Sequence, residues 1–348
     1  MDKQIIGDNN NIRALSLISD FGWLRAPELS VFMWPKSKPK TRLANAAELV
    51  RKMDKEGFLI LRKLPKNVGF ALMLSEGGAR LLREKDISAQ SGKNIGKLED
   101  GQWTEPPTWE HDLKACGLLA ILSKSGYVVL GEKKIKRENP SLTKIPDGVF
   151  YRPGEEAVYW LEVENARKAG PNMESMAKSL MLVVSNHIKV SGLKVNVAAL
   201  AFDPNSVSEK GRPIDHQDKV EDGLQKFLEE DIEITFFKLK MRGAGVASFD
   251  AYKKIVESDA TNVLLNKIKF SNNSDGEYAA NFGEFRMKIV AVEGKFKWRV
   301  KEFADLDSSR VEQFKNIIKG ENNTMLEAKR ACILTYRSAT ENVEMGME

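Results

Sequence analysis

Apolar residues recur at helical spacing along the first quarter of the chain, and at strand spacing over much of the rest. Residues 11–22 predict a helix with Ile12, Leu15, Leu17 and Ile18 as its apolar positions. A second, short helix is predicted at 27–33, where Pro27 suits a first helical turn. A third covers about 41–56, with Thr41 as N-cap, Gly57 as its stop, and Leu43, Ala46, Ala47, Val50 and Met53 as its buried stripe. Residues 58–61 and 70–74 form a predicted hairpin around the basic turn 63–69, and residues 75–82 open a further helix.

Three helices followed by a two-stranded wing predict a winged helix-turn-helix over residues 1–88. The polar, aperiodic stretch 89–108 reads as a linker. An amphipathic helix at 109–125 buries Leu113, Cys116, Leu119, Ala120 and Leu122, and a strand follows at 127–130. Two strands carrying Asp147 and Glu162 come next, then a helix at 172–189, a strand at 195–202, a helix at 218–230 and a strand at 232–239. That order predicts a mixed sheet flanked by helices, a central αβ core over 109–242. Beyond 261, strands at 278–282, 285–291 and 297–303, with turns at Gly283 and Gly294, predict a β-meander; helices are expected at 308–319 and 325–339. The chain as a whole is expected to be an α+β multidomain protein with a small C-terminal α+β module at 261–348, in keeping with its 348 residues.

Composition narrows the class. No apolar run approaches the roughly 18–20 residues that span a bilayer, so no membrane insertion is expected. The opening Met1-Asp2-Lys3-Gln4 has no signal-peptide character, and Cys116 and Cys332 form neither a disulfide framework nor a zinc site; the cytoplasm is the expected compartment. Net charge is +5, but residues 36–66 alone carry ten Lys/Arg against three acids. A local excess of that size suits a polyanion. In a winged helix the third helix enters the major groove and the wing touches the backbone. The residues expected to face double-stranded DNA are Lys40, Arg42, Asn45 and Lys52, with Arg62, Lys63 and Lys66 on the wing. The same module used only for dimerisation or protein contact is the competing reading.

Candidate chemistry lies in Ile145-Pro146-Asp147-Gly148 and Trp160-Leu161-Glu162-Val163-Glu164. Strand alternation puts Glu162 and Glu164 on one face and Leu161 and Val163 on the other. Three like charges at one sheet edge repel unless a cation lies among them, and a hard divalent ion with oxygen ligands, Mg²⁺ or Mn²⁺, meets that need. Asp147 before Gly148 is equally a turn residue. A carboxylate flanked by apolar neighbours, as Glu162 is, calls for a metal or a basic partner. Glu164 reads as general base, further ligand or solvated edge residue. No His-x-His pair exists, so a three-histidine metal centre is not expected.

With Pro146-Asp147 on one strand and Glu162-Val163-Glu164 on the next, the central domain resembles the PD-(D/E)XK nuclease superfamily, with Glu164 where the pattern has Lys. The longer string WEHDL…PDG…WLEVENARKAG is similar to the MobC-type plasmid relaxases and replication-relaxation proteins, which also place a winged helix before the core. The resemblance covers about residues 1–240. It implies a restriction-endonuclease-like core and an active site of Asp147, Glu162 and Glu164 as metal ligands. It adds His111 from the preceding helix and Lys168, or its neighbour Arg167, in place of the missing lysine. It further implies a metal-dependent DNA-nicking relaxase or endonuclease at an origin of plasmid transfer or replication, with a coupling protein or other mobilisation factors as partners. The alternative is a catalytically inactive, sequence-specific DNA-binding accessory factor or repressor with a nuclease-like fold. Tyr151 and Tyr159 flank the acidic strands, and nothing selects either as a nucleophile.

Overall fold

The computed structural model describes residues 3–164, 171–185, 187–205, 216–258, 271–272, 277–282, 285–292, 295–303, 314–322, 327–329, 331–333 and 335. They belong to two compact units, residues 1–224 with 232–256 and residues 225–231 with 257–348.

The first unit opens with α1 (Lys3–Phe21), α2 (Ala26–Met33), α3 (Pro39–Lys55), the antiparallel pair β1 (Leu59–Lys63) and β2 (Phe70–Leu74), and α4 (Glu76–Arg83). α3 starts at Pro39 rather than at Thr41, because proline in a first turn gives up only an N–H that has no helical partner. It buries Ala46, Val50 and Met53, whereas Leu43 of the expected stripe is 45% exposed. Ser75 Oγ caps α4 by accepting the Gly78 N–H at 3.0 Å. Gly78 itself allows the helix to touch the hairpin, since a Cβ there would lie 2.3 Å from the Phe58 carbonyl oxygen.

The stretch 89–108, expected to be a plain linker, carries a 3-10 turn at Gly92–Asn94 and a small hairpin, β3 (Lys97–Glu99) with β4 (Gln102–Thr104). Sparse anchors hold it: Ala89 is buried, and Trp103 Nε1 donates to the Ile95 carbonyl at 2.9 Å.

There follow α5 (Trp109–Lys124), β5 (Val128–Gly131), α6 (Glu132–Glu138), β6 (Gly148–Tyr151), β7 (Val158–Glu164), α7 (Pro171–Val184), the hairpin β8 (Ile188–Val190) with β9 (Leu193–Val195), β10 (Val197–Phe202), α8 (His216–Gln225), β11 (Ile232–Arg242) and β12 (Gly245–Val256). Six strands form one mixed sheet in the order β12-β11-β10-β7-β6-β5. β7, β10 and β11 run parallel, and the outer pairs are antiparallel. The helix expected at 172–189 stops at Val184, the sheet continues beyond 242 through β12, and α6 lies where no helix was expected.

Leu118, Leu119 and Leu122 of α5 cover one sheet face made by Phe150, Leu161, Val163, Ala199, Ala201, Phe237 and Leu239. The same core takes Leu15, Ile18, Leu29, Val50 and Leu72 from the opening helices and hairpin. The N-terminal helices and the sheet therefore share one continuous interior. Burial of its large apolar side chains stabilises the unit by roughly 1.5–3 kcal/mol each.

The second unit holds an antiparallel sheet of β13 (Ser271–Asn272), β14 (Glu277–Phe282), β15 (Phe285–Val292), β16 (Lys295–Phe303) and β17 (Phe314–Asn322). The expected meander is β14–β16. The expected helix at 308–319 is strand β17 in its described part; residues 327–329 and 331–333 are helical. Gly283 and Gly294 lie outside the described residues. Among the described residues no helix is long and apolar enough to cross a membrane.

Candidate functional site

Asp147 stands one residue before β6, where the Gly148–Leu161 pairing sets it beside β7. Its backbone N–H donates to the Leu161 carbonyl at 3.0 Å, and its Oδ2 accepts the Val163 N–H at 2.7 Å. The carboxylate thus takes the place of a backbone carbonyl in the ladder and is fixed by it. The same Oδ2 lies 3.2 Å from His111 Nε2 on α5. On the far side of the ring, Nδ1 lies 3.3 Å from Asp112 Oδ1. Trp23 Nε1 and Thr108 Oγ1 each donate to Asp112 Oδ2 at 3.4 Å.

Burial opposes a charged imidazole here, but hydrogen bonds and attraction from Asp112 and Asp147 outweigh it and raise the His111 pKa from 6.5 to about 10. At neutral pH His111 is therefore a cation held between two carboxylates, suited to fixing Asp147 and ill suited to accepting a proton. The three side chains line a cavity of about 270 Å³.

Glu162 and Glu164 project from the other sheet face, in register with Leu200 and Phe202. They are 3% and 1% exposed. Glu162 Oε1 accepts from Trp160 Nε1 at 2.8 Å and ion-pairs with Lys144. Of the two partners the sequence leaves open for this acid, a metal or a base, the described residues supply a base. A third polar pair closes the carboxyl ends of the parallel strands. Asp203, just after β10, lies 3.6 Å from Lys114 Nζ of α5. Both line a cavity of about 530 Å³ with Lys66, Trp109 and Glu110.

Among the described residues no three His, Cys, Asp or Glu side chains are grouped so as to hold a metal ion. Asp147 and Glu162 each already meet a cation and an N–H donor. Arg167 and Lys168 lie outside the described residues.

No family model, curated protein or solved structure matches this chain.

Of the residues expected to face DNA, Lys40, Lys52, Lys63 and Lys66 are exposed, while Arg42, Asn45 and Arg62 are half-buried. Lys66 differs from the others. Its backbone is in the left-handed region at φ 53°, uncommon for a lysine, and its ammonium lies 2.5 Å from Glu110 and 5.9 Å from the centre of the Trp109 ring. The β1–β2 turn is thereby tied to α5. Arg42 and Lys66 line a cleft of about 680 Å³ together with Arg25, Lys124 and Arg242, and with Glu28 as its carboxylate. Arg25 is buried and bound on both sides of its guanidinium to Glu28, at 2.5 and 3.0 Å, with Nη1 donating to the Val68 carbonyl at 3.1 Å. Arg42 Nη1 is buried in this cleft with no hydrogen-bond partner.

Sequence reasoning did not find Lys144, Trp160, Asp112, Lys114 or Asp203 as site residues. Two carried a signal. Trp160 stands two before Glu162 and so shares its face, and Asp203 follows a wholly apolar strand, at the strand end where sites form in parallel sheets. Lys144 carried none; it sits in a loop without pattern.

Proposed function

We propose that this protein binds DNA through an N-terminal winged helix-turn-helix, α1–α3 with the β1–β2 wing, fused to a restriction-endonuclease-like sheet that does not cut. It would act at an origin of plasmid replication or transfer as an accessory factor or repressor, in the cytoplasm, with other mobilisation factors as partners. The observation that carries the non-cutting reading is the Lys144–Glu162 ion pair beside Trp160. The acid that a cleaving centre would present to a metal has a protein cation and an N–H donor instead. The DNA-binding half rests on exposed Lys40 and Lys52 along α3, and Lys63 on the wing, within a segment of ten basic and three acidic residues.

A metal-dependent nicking enzyme is the second reading, favoured by one observation: the Gly148–Leu161 pairing brings the ends of β6 and β7 that carry Asp147 and Glu162 together, although the two acids leave the sheet on opposite faces. On that reading Asp147, Glu162 and Glu164 would hold Mg²⁺ or Mn²⁺, which polarises phosphate and activates a nucleophile. His111 would fix Asp147, and Lys168 would supply the cation that the Asp/Glu-x-Lys pattern provides.

The test is incubation of the protein with supercoiled plasmid and Mn²⁺, alongside selection of duplexes from a randomised pool. Enriched sites with unchanged plasmid are expected. Nicked circles that disappear in Asp147→Ala and Glu162→Ala would replace the first reading with the second. Failure to enrich any sequence would overturn both.

A further inference from the structure

Residues 257–348 carry fourteen Lys/Arg and fifteen Asp/Glu, so the composition of this segment gives no sign of charge. The fold sorts it. In β15 and β16 successive side chains alternate between faces, and the register fixes which share a face. Met287, Ile289 and Val300, with Ala280 of β14, are buried against Ala328, Cys332 and Ile333. The residues between them, Arg286, Lys288, Val290, Lys295, Lys297 and Arg299, fall on the opposite face, and the Arg299–Lys319 pairing adds Lys319 from β17.

Six cations therefore lie on one sheet face across three adjacent strands, against two acids that the register puts on the same face, Glu277 beside Lys288 and Glu321 opposite Lys297. Lys288, Arg299 and Lys319 are directly opposite one another in successive pairs. Like charges placed cross-strand destabilise a sheet by up to about 1 kcal/mol a pair. Glu277 offsets this repulsion at Lys288, and a bound polyanion would offset it along the rest of the row. Lys288, Val290, Val292, Lys297, Arg299 and Lys319 line a depression of about 690 Å³, and Lys297, Arg299 and Lys319 are exposed.

We propose that this face of the β14–β17 sheet is a second nucleic-acid-binding surface, one that holds the phosphate backbone without reading sequence. Charge in regular rows matches a polymer of regularly spaced phosphates. Trp298 also lines the depression, but its side chain shares the face of Ile289, packs against the core and donates Nε1–H to Asn322 at 2.7 Å, so it gives no open ring on which a single-stranded base stacks. Duplex is therefore the form it takes. The inference does not rest on the N-terminal module being a DNA reader, because it uses no residue of that module.

The experiment is salt-dependent anisotropy of a fluorescent random-sequence duplex with the full chain and with the K297A/R299A/K319A variant. The variant is expected to bind at least tenfold more weakly, with the slope of log affinity against log salt reduced by about 2–3. Its thermal midpoint should be equal to or above that of the parent, since like-charge repulsion has been removed, which separates lost binding from lost folding. The same substitutions made as Gln provide a second, bulk-preserving variant. Equal affinity and slope for parent and both variants would overturn the proposal. So would loss of binding only to anionic lipid vesicles, or a preference for single strands that disappears with these residues.

Discussion

The two faces of the six-stranded sheet treat their acids in opposite ways. On the α5 side, Asp147 is partly exposed at a cavity and shares His111 with Asp112. On the other side, Glu162 is almost wholly buried, beneath Lys144 and beside Trp160. Of these two acids, Asp147 is the one placed to meet a ligand without repacking of the interior. A buried strand carboxylate in an apolar run signals the need for a positive partner, and the protein can satisfy that need itself. The difference also separates what can be reached by solvent and ions from what is structural.

The largest effect that would break this comparison is on the buried face. Lys144→Met should destabilise the first unit by about 3 kcal/mol, because it leaves Glu162 buried without its cation. The double variant K144M/E162Q should recover much of that loss. Urea unfolding measures both; near-equal midpoints for parent and Lys144→Met would mean that something else compensates Glu162. Arg25→Ala serves as a reference away from the sheet. It removes the partner of Glu28 and the donor to Val68, and a loss of about 2–3 kcal/mol is expected in the same unfolding experiment.

The exposed face is tested by pH. His111 has a folded pKa of about 10 against an ordinary 6.5, a raised value. Its stabilising contribution is therefore complete below about pH 6.5 and is lost progressively as pH rises through about 10. Thermal unfolding of the parent should show that decline, and His111→Gln should flatten it. Parallel curves for the two proteins would place the charge elsewhere. Smallest in stability terms are the cations of β1. R62A/K63A should change unfolding by less than about 0.5 kcal/mol while lowering the salt slope of duplex binding by about 2.

Elements with strong periodicity were legible in the sequence: the three opening helices, the β1–β2 hairpin, α5 and the β14–β16 meander. Those missed lack a pattern or carry a misleading one. α6 reads Glu-Lys-Lys-Ile-Lys-Arg-Glu, with Ile135 as its one apolar anchor. β12 is an edge strand with mostly exposed positions, so its alternation is faint. In β17, Phe314, Ile317 and Ile318 fall at i, i+3 and i+4, a helical spacing that ladder pairing with β16 overrides. Within the site, Asp147 was singled out by its Pro-Asp motif and His111 by the resemblance, but their contact with each other was not legible. The Lys144 contact was not, because it depends on where a patternless loop lies over the sheet.

The central claim is that Glu162 is neutralised by Lys144 rather than by a divalent ion. Calorimetric titration of Mn²⁺ into the full chain and its Glu162→Gln variant tests it most directly. The account predicts that both proteins give the same heats, with no stoichiometric site that depends on Glu162. A one-to-one Mn²⁺ site in the parent that disappears in Glu162→Gln would contradict it.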